Sequence, residues 1–383
     1  MKAEGPRDDF SLVRGGPFYR LLRSVGLARG DRWDPARQIG AAVAVGWLPV
    51  AFLSLLETPP PGGIDPMRSI AGHARLLVAV PCFLLAEASL HRRTQRCIDR
   101  FLQDGWAPGQ EAAIGRFAAA TRRLRDASLP EALLLIAAVG SSQAFLWGLA
   151  EPVGARGLQW SRTPALFWYA LVSLPLLQFL ALRWLWRWAL WAVLLARVSL
   201  LPIRPVATHP DERGGLEFLS EPSTGFAWVV LGGSAVLAGS FANRILYLDE
   251  PIESFIPHAF LYLAGSVLLT FGPLVAFTRT LWQAYFEARW SYGALAADHN
   301  RRFHRRWIDG DRRELLGTPD ISSLADLGTS YAVMRRMKFL PVTRRRLILV
   351  VTAALAPFAL LLLTEVRILD ILHDIGSAWL STH

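Results

Sequence analysis

Cysteine is almost missing from this chain: Cys82 and Cys97 are the only two in 383 residues, one inside an apolar run and one beside a basic segment. Such a pair builds no disulfide framework. Lysine is just as scarce, with Lys2 and Lys338 the only two among 41 basic residues, so arginine carries nearly all the positive charge. The signatures of familiar chemistry are absent as well. There is no His-Glu-x-x-His, no phosphate-binding glycine loop ending in lysine, and no Gly-x-Ser-x-Gly turn. His299 and His304 are five apart near Asp298, but Arg301, Arg302, Arg305 and Arg306 would repel a cation, so neither a metal nor a cofactor is expected. No Asp, Glu or Lys stands near the centre of an apolar run, which counts against a carboxylate-coupled carrier. The first 38 residues are polar and basic, and no cleavable signal peptide is visible in them. These absences lean away from an enzyme of a known type.

Long apolar stretches, by contrast, are plentiful. Seven can be marked, near 39–56, 69–90, 129–150, 164–184, 224–243, 257–278 and 347–364. Each is about as long as a helix needs to cross a hydrocarbon layer of roughly 30 Å, and a helix satisfies its own backbone there. A mean hydropathy of +0.30 and 52% hydrophobic residues fit that reading, while 19% charged residues require aqueous parts. The expected fold is all-α, a polytopic transmembrane bundle of about seven spans with helical cytoplasmic extensions.

Arginine alternates strictly between the connecting segments. The N-terminal arm holds eight Lys/Arg, segment 91–128 eight, segment 183–222 five and segment 279–346 fourteen. The rest of the chain holds six: Arg68, Arg75, Arg156, Arg162, Arg244 and Arg367. Cytoplasmic segments of bacterial membrane proteins retain Lys and Arg, so the alternation predicts a bacterial inner-membrane protein with its N-terminus inside and its C-terminus outside. The net charge of +10 then reads as a basic collar drawn to anionic lipid of the inner leaflet, not as a nucleic-acid site.

Four regions follow: a basic cytoplasmic arm over 1–38, spans one to six over 39–280 with a helical excursion at 91–128, an Arg-rich helical region over 281–346, and a last span with a short outer segment over 347–383. In the arm, Phe18, Leu21, Leu22 and Val25 recur at helical spacing among arginines, which predicts either an amphipathic helix on the inner leaflet or a loose tail. Pro59, Pro60, Pro61, Gly62 and Gly63 predict an outer turn. Thr318-Pro319-Asp320 has helix-start chemistry and Gly328 suits the closing position of a short helix. Proline sits inside five spans, at Pro49, Pro81, Pro175, Pro273 and Pro357, where it is expected to kink the helix and free carbonyls.

Three groups of residues could carry function. On the second span, His73, Val80, Leu84, Glu87 and His91 fall on one helical face, with Arg75 near its outer end; the stripe is polar at both ends and apolar between, as a pore lining with a hydrophobic gate would be. A helix whose polar residues simply reach both interfaces has the same pattern. Between spans four and five, His209, Asp211, Arg213, Gly214 and Gly215 offer proton- or metal-exchanging groups beside flexible backbone, or else an ordinary short helix. Arg183, Arg187, Trp184 and Trp188 gather where span four should leave the hydrocarbon; they suit a lipid-headgroup site, and more simply an inner aromatic belt with snorkelling arginines.

Three stretches in this order carry a resemblance: Gly72 to Pro81 leading to Glu87, His209-Pro210-Asp211 with Gly214-Gly215-Leu216, and Leu316 to Gly328 with its Ser-Leu-Ala-Asp-Leu-Gly ending. Together they resemble a family of uncharacterised polytopic inner-membrane proteins of bacteria. The resemblance implies a shared multi-span fold, brings no activity, and adds Asp320 and Asp326 to the cytoplasmic residues of interest. The leading expectation is an oligomeric pathway for an ion or small solute, lined by the second span. One alternative is a signalling or assembly protein that docks a cytoplasmic partner or anionic lipid; a second is a membrane enzyme acting on lipid through His209 and Asp211.

Overall fold

The computed structural model describes residues 10–27, 34–57, 66–103, 106–147, 163–310 and 319–365, with the side chains of 320 and 363–365 excepted. Ten helical runs make up the described part: α1 Gly16–Ser24, α2 Pro35–Leu56, α3 Ile70–Leu102, α4 Glu111–Asp126, α5 Ser128–Leu146, α6 Pro164–Ser199, α7 Glu217–Leu248, α8 Ile252–Ile308, α9 Pro319–Arg335 and α10 Arg344–Glu365. Seven of them, α2, α3, α5, α6, α7, α8 and α10, are long and apolar enough to cross a membrane, so the chain is a polytopic membrane protein with an all-α bundle. The turn expected at 59–63, Thr318 and everything after Glu365 lie outside the described residues.

Helices α3, α6 and α7 are the most buried spans and form the middle of the bundle; α2, α5, α8 and α10 surround them. Small residues let α7 approach α3. Gly225, Gly232 and Gly239 recur every seven residues, and a Cβ on them would come within 3.1 Å of Leu90, 2.9 Å of Phe83 and 2.7 Å of the Ala74 Cβ. Close backbone approach of this kind is how helices associate in a solvent that offers no hydrophobic drive between them.

Four of the five span prolines coincide with a break in α-helical geometry. The α-helix of α2 is interrupted at Trp47, just before Pro49. Pro81 and Pro175 follow π-helical segments at Ala74–Ala79 and Tyr169–Ser173, and Pro273 lies in a 3-10 segment at Gly272–Phe277. Proline cannot donate to the carbonyl four residues back, and at two of these sites tryptophan does so instead. Trp168 Nε1 donates to the Val45 carbonyl at 3.1 Å, opposite Pro49, and Trp188 Nε1 donates to the Leu269 carbonyl at 2.5 Å, opposite Pro273. Pro357 sits in an unbroken α10.

The connections sort into two ends. At one, Arg204 N bonds to the Trp106 carbonyl, Arg213 Nε to the Val342 carbonyl at 3.0 Å, and Lys338 Nζ lies 3.1 Å from Glu212. The N-terminal arm joins this end through Gly16 N, which donates to Asp126 at 2.9 Å. At the other end, Ala165 N donates to Glu57 and Asn243 Nδ2 to Ser69. All four Arg-rich stretches therefore meet at one end of the bundle. The arm is not a peripheral tail: Phe10, Leu12 and Val13 are core residues, Phe18 packs edge-on against Phe179, and only Leu21 and Val25 of the predicted amphipathic face are exposed.

Helix α8 runs for 57 residues, about 85 Å at 1.5 Å per residue, so its C-terminal part extends well past any bilayer and pairs with α9. Helix α9 passes through Gly328 instead of ending there, because the residues that follow, Thr329 to Arg335, continue the helical turn without a break.

Candidate functional site

The chemistry of this chain concentrates where α3, α5 and α6 meet beneath the arm. Arg183 and Arg187 are four residues apart, hence on one face of α6, and Glu87 projects toward them from α3. Glu87 Oε1 accepts from Arg183 Nη1 at 2.9 Å and from Arg187 Nη1 at 2.5 Å. Arg183 Nε donates to Glu131 Oε1 at 3.1 Å, and the other Glu131 oxygen accepts from Phe18 N at 2.8 Å. Arg187 also reaches the Val13 carbonyl at 3.4 Å. The Phe18 ring lies 4.7 Å from the Arg183 guanidinium and Trp184 lies 5.1 Å from that of Arg187. Glu87 is 1% exposed and both arginines 2%.

Two guanidiniums and two carboxylates leave the cluster formally neutral. Burying four charges is tolerated because each one has a partner at hydrogen-bond distance, and removal of any single member would strand the others. Glu131 stands in the first turn of α5, where the helix N-terminus also favours an anion. The belt of snorkelling arginines is thus corrected: Arg183, Arg187 and Trp184 turn inward, with the Trp184 indole donating to the Phe83 carbonyl at 3.0 Å, while Trp188 caps the carbonyl opposite Pro273. Glu131 and Val13 escaped the sequence reading, which placed Phe18 only on the amphipathic face of the arm. A lone acid opening span three, opposite two arginines at i and i+4, was the available signal.

Within the bundle the second-span stripe is packed, not open. Val80, Leu84 and Glu87 are buried, the first two in the main core, and His91 is held by Ser11 Oγ at 2.9 Å. His73 belongs to a different environment: its ring meets Trp47 edge-on and Nδ1 lies 2.9 Å from the Ser69 carbonyl. The π segment Ala74–Ala79 separates it from the stripe, and the wider turn upsets a phase reckoned at 100° per residue. Arg75 lies in that π segment and donates to Tyr169 in the facing one at 2.8 Å, and to Ser240 of α7 at 3.2 Å. This is a second buried polar contact, nearer the opposite end of the bundle.

The His209–Leu216 stretch forms no helix. Asp211 is its hub: Oδ1 accepts from Arg213 N at 2.8 Å and Gly215 N at 3.0 Å, Oδ2 accepts from Glu217 N at 3.2 Å, and His209 Nδ1 lies 2.9 Å away. Burial pushes the Asp211 carboxyl up, but the three backbone donors and His209 outweigh it and hold the group below its ordinary value. Glu212 (φ 55°), Gly214 (φ 62°) and Gly215 (φ 85°) turn the chain, and a Cβ on Gly215 would overlap the Trp106 ring. The carboxylate is occupied by its own loop, and no cluster of metal-binding side chains occurs among the described residues. Asp326 is exposed on α9.

Outside the charge cluster, toward the Arg-rich end, opens a pocket of about 790 Å³ bordered by Arg14, His91, Arg122, Arg123, Arg125 and Asp126. A second cavity of about 650 Å³, lined by apolar and aromatic side chains such as Trp184, Phe226 and Tyr262, lies between α6, α7 and α8. No protein-family model, curated protein or solved structure matches the chain.

Proposed function

We propose that this polytopic membrane protein resides in a bacterial inner membrane with its Arg-rich end in the cytoplasm, and that it forms, as an oligomer, a gated pathway for an ion or small solute along the α3–α6 seam. The observation that carries the reading is the buried Glu87–Arg183–Arg187–Glu131 cluster, capped by residues 10–18 of the arm. Ionisable side chains inside a span are costly, and their usual use is a pathway or a switch. A neutral four-charge network can exchange partners without leaving a bare charge, and the arm is the one element of the cluster that lies outside the membrane helices. Val80 and Leu84 below the cluster then act as the apolar closure, and the structure corresponds to the shut form. Gathering of all four Arg-rich stretches at one end supports the orientation.

Purified protein in liposomes, followed with ion-sensitive dyes, tests the pathway. Flux that rises in Leu84→Ala and changes in Glu87→Gln is expected; flat traces for the wild type and both variants at high protein density would sink it. A second reading, docking of a cytoplasmic partner or anionic lipid, is favoured by the Arg-bearing end of α8 projecting beyond the bilayer. Loss of a bound partner on deletion of 310–330, with no flux activity, would move the assignment there.

A further inference from the structure

The cavity between α6, α7 and α8 owes its apolar wall to where the polar atoms of its rings are sent. Each ring that could offer an N–H or O–H from α6 or α8 gives it to a backbone carbonyl. Trp184 Nε1 donates to Phe83 at 3.0 Å, Trp188 Nε1 to Leu269 at 2.5 Å and the Tyr262 hydroxyl to Val230 at 2.6 Å. Water needs two to four polar partners to settle in such a space, and this wall is built to withhold them. Glycine makes the room: nothing lies within 4 Å of a Cβ placed on Gly265, and one on Gly233 would come 2.5 Å from the Tyr262 hydroxyl.

The cavity also has a direction. Phe83, Trp184 and Phe226 at its back are buried, whereas Leu185, Leu261 and Leu269 at its mouth are exposed on helices that cross the membrane, so it opens sideways toward hydrocarbon. Its lining runs on α8 from His258 to Thr270, about 18 Å at 1.5 Å per residue. That length is slightly more than half of a hydrocarbon layer of roughly 30 Å. At the end away from the Arg-rich connections, Phe241 stacks on Phe255 with ring centres 4.5 Å apart, and the His258 ring meets Phe241 edge-on. His258 Nδ1 lies 3.2 Å from the Ser254 carbonyl, and its Nε2 has no partner among the described residues.

We infer that this cavity binds one acyl chain of a membrane phospholipid, which enters through the side of the bundle and keeps its polar head at the His258 end. The apolar wall gives a polar solute nothing to bond to, and the sideways mouth gives access from lipid. The length matches a chain that belongs to one leaflet, not a molecule that spans both. Polarity at one end only matches a ligand with one polar end, and a volume of about 650 Å³ lies in the range of ligand cavities. The inference stands apart from the pathway reading, since it requires neither conduction nor an oligomer.

The test uses the full-length protein in phosphatidylglycerol vesicles that carry a photoactivatable analogue of the same lipid, with the diazirine either at the chain end or beside the ester. Cross-linked peptides are mapped by mass spectrometry. Label on residues 226–241 and 258–270 should exceed that on the exposed face of α5 at least fivefold. The chain-end probe should mark 226–230 and 266–270, and the ester probe 237–241 and 258–262. Gly265→Leu fills the cavity and should lower its labelling at least fivefold, whereas Gly140→Leu, on an exposed part of α5 with open space around its Cβ position, should not. The wild-type map stands by itself if Gly265→Leu does not fold. Labelling no denser than on α5, a reversed depth order, or undiminished labelling in folded Gly265→Leu overturns the inference. So does an unlabelled cavity in a wild-type dimer that Gly265→Leu converts to monomer, which would assign the groove to a second copy.

Discussion

Glu87 shows what a single side chain can decide inside a membrane bundle. Its Oε1 accepts from both arginines of the cluster, so Glu87→Gln keeps the shape and removes half the negative charge. Unpaired buried charges typically cost about 3–5 kcal/mol, and a loss of that order is expected in denaturant or thermal unfolding. Adding Arg187→Gln to Glu87→Gln should recover part of it, since the surplus cation is then gone; a double variant weaker than the sum of the singles would contradict the network. Asp211 carries a different dependence. Its carboxyl is held below the ordinary value of about 3.9, so its contribution is present above that pH and lost as the pH falls through the depressed value. Wild-type stability from this source should be flat from about pH 5 to pH 7 and fall below about pH 4. In Asp211→Asn that acid-dependent part should be missing.

Among the elements, proline and glycine explain most of the irregularity. Pro49 and Pro273 leave carbonyls that Trp168 and Trp188 satisfy, and a carbonyl without a donor inside a span costs about 1–3 kcal/mol. Trp188→Phe should destabilise by that order. In a Pro273→Ala background, which returns an N–H to the Leu269 carbonyl, the same substitution should cost clearly less; an equal cost would mean that the indole acts through packing alone. Glycine makes the α3–α7 seam. Gly232→Leu puts a side chain where even a Cβ would lie 2.9 Å from Phe83, and should abolish a monodisperse, folded preparation, whereas Gly265→Leu on α8, with open space around its Cβ position, should be tolerated. Size-exclusion profiles of the two variants decide the point.

The whole molecule is built with two distinct ends, and the proposed function places the Arg-rich one in the cytoplasm. A reporter fused after residue 383 is expected to be active outside the cytoplasm, and one placed in the 104–110 connection inside it; the reverse pattern would mean that the Arg-rich end faces out. The arm is the other large-scale feature. Removing residues 1–18 takes away the core residues Phe10, Leu12 and Val13 together with the Phe18 contacts to Glu131 and Arg183. If the arm is a cap, the truncated protein should remain membrane-inserted and pass solute faster than the full chain; truncated protein that is intact but no more permeable would leave the arm a purely structural brace.

Class, number of spans and the grouping of the connections into two ends were legible in the order of residues, because hydrocarbon imposes them locally: about twenty apolar residues make a span, and arginine sorts by side. Four helix breaks were legible for the same reason, since proline removes a donor, whereas α10 takes in Pro357 without a break. Partner choice was not. Arg183 and Arg187 have the same local sequence whether they snorkel to headgroups or turn inward to Glu87, and only the packing of α3, α5 and α6 selects between them. Likewise His209, Pro210 and Asp211 read as a helix start until the distant Trp106, Lys338 and Val342 hold the loop in another shape. Gly328 reads as a stop until the chain runs on through it to Arg335. Local chemistry specifies what each segment can be, and contacts between segments far apart in the chain specify which charge meets which.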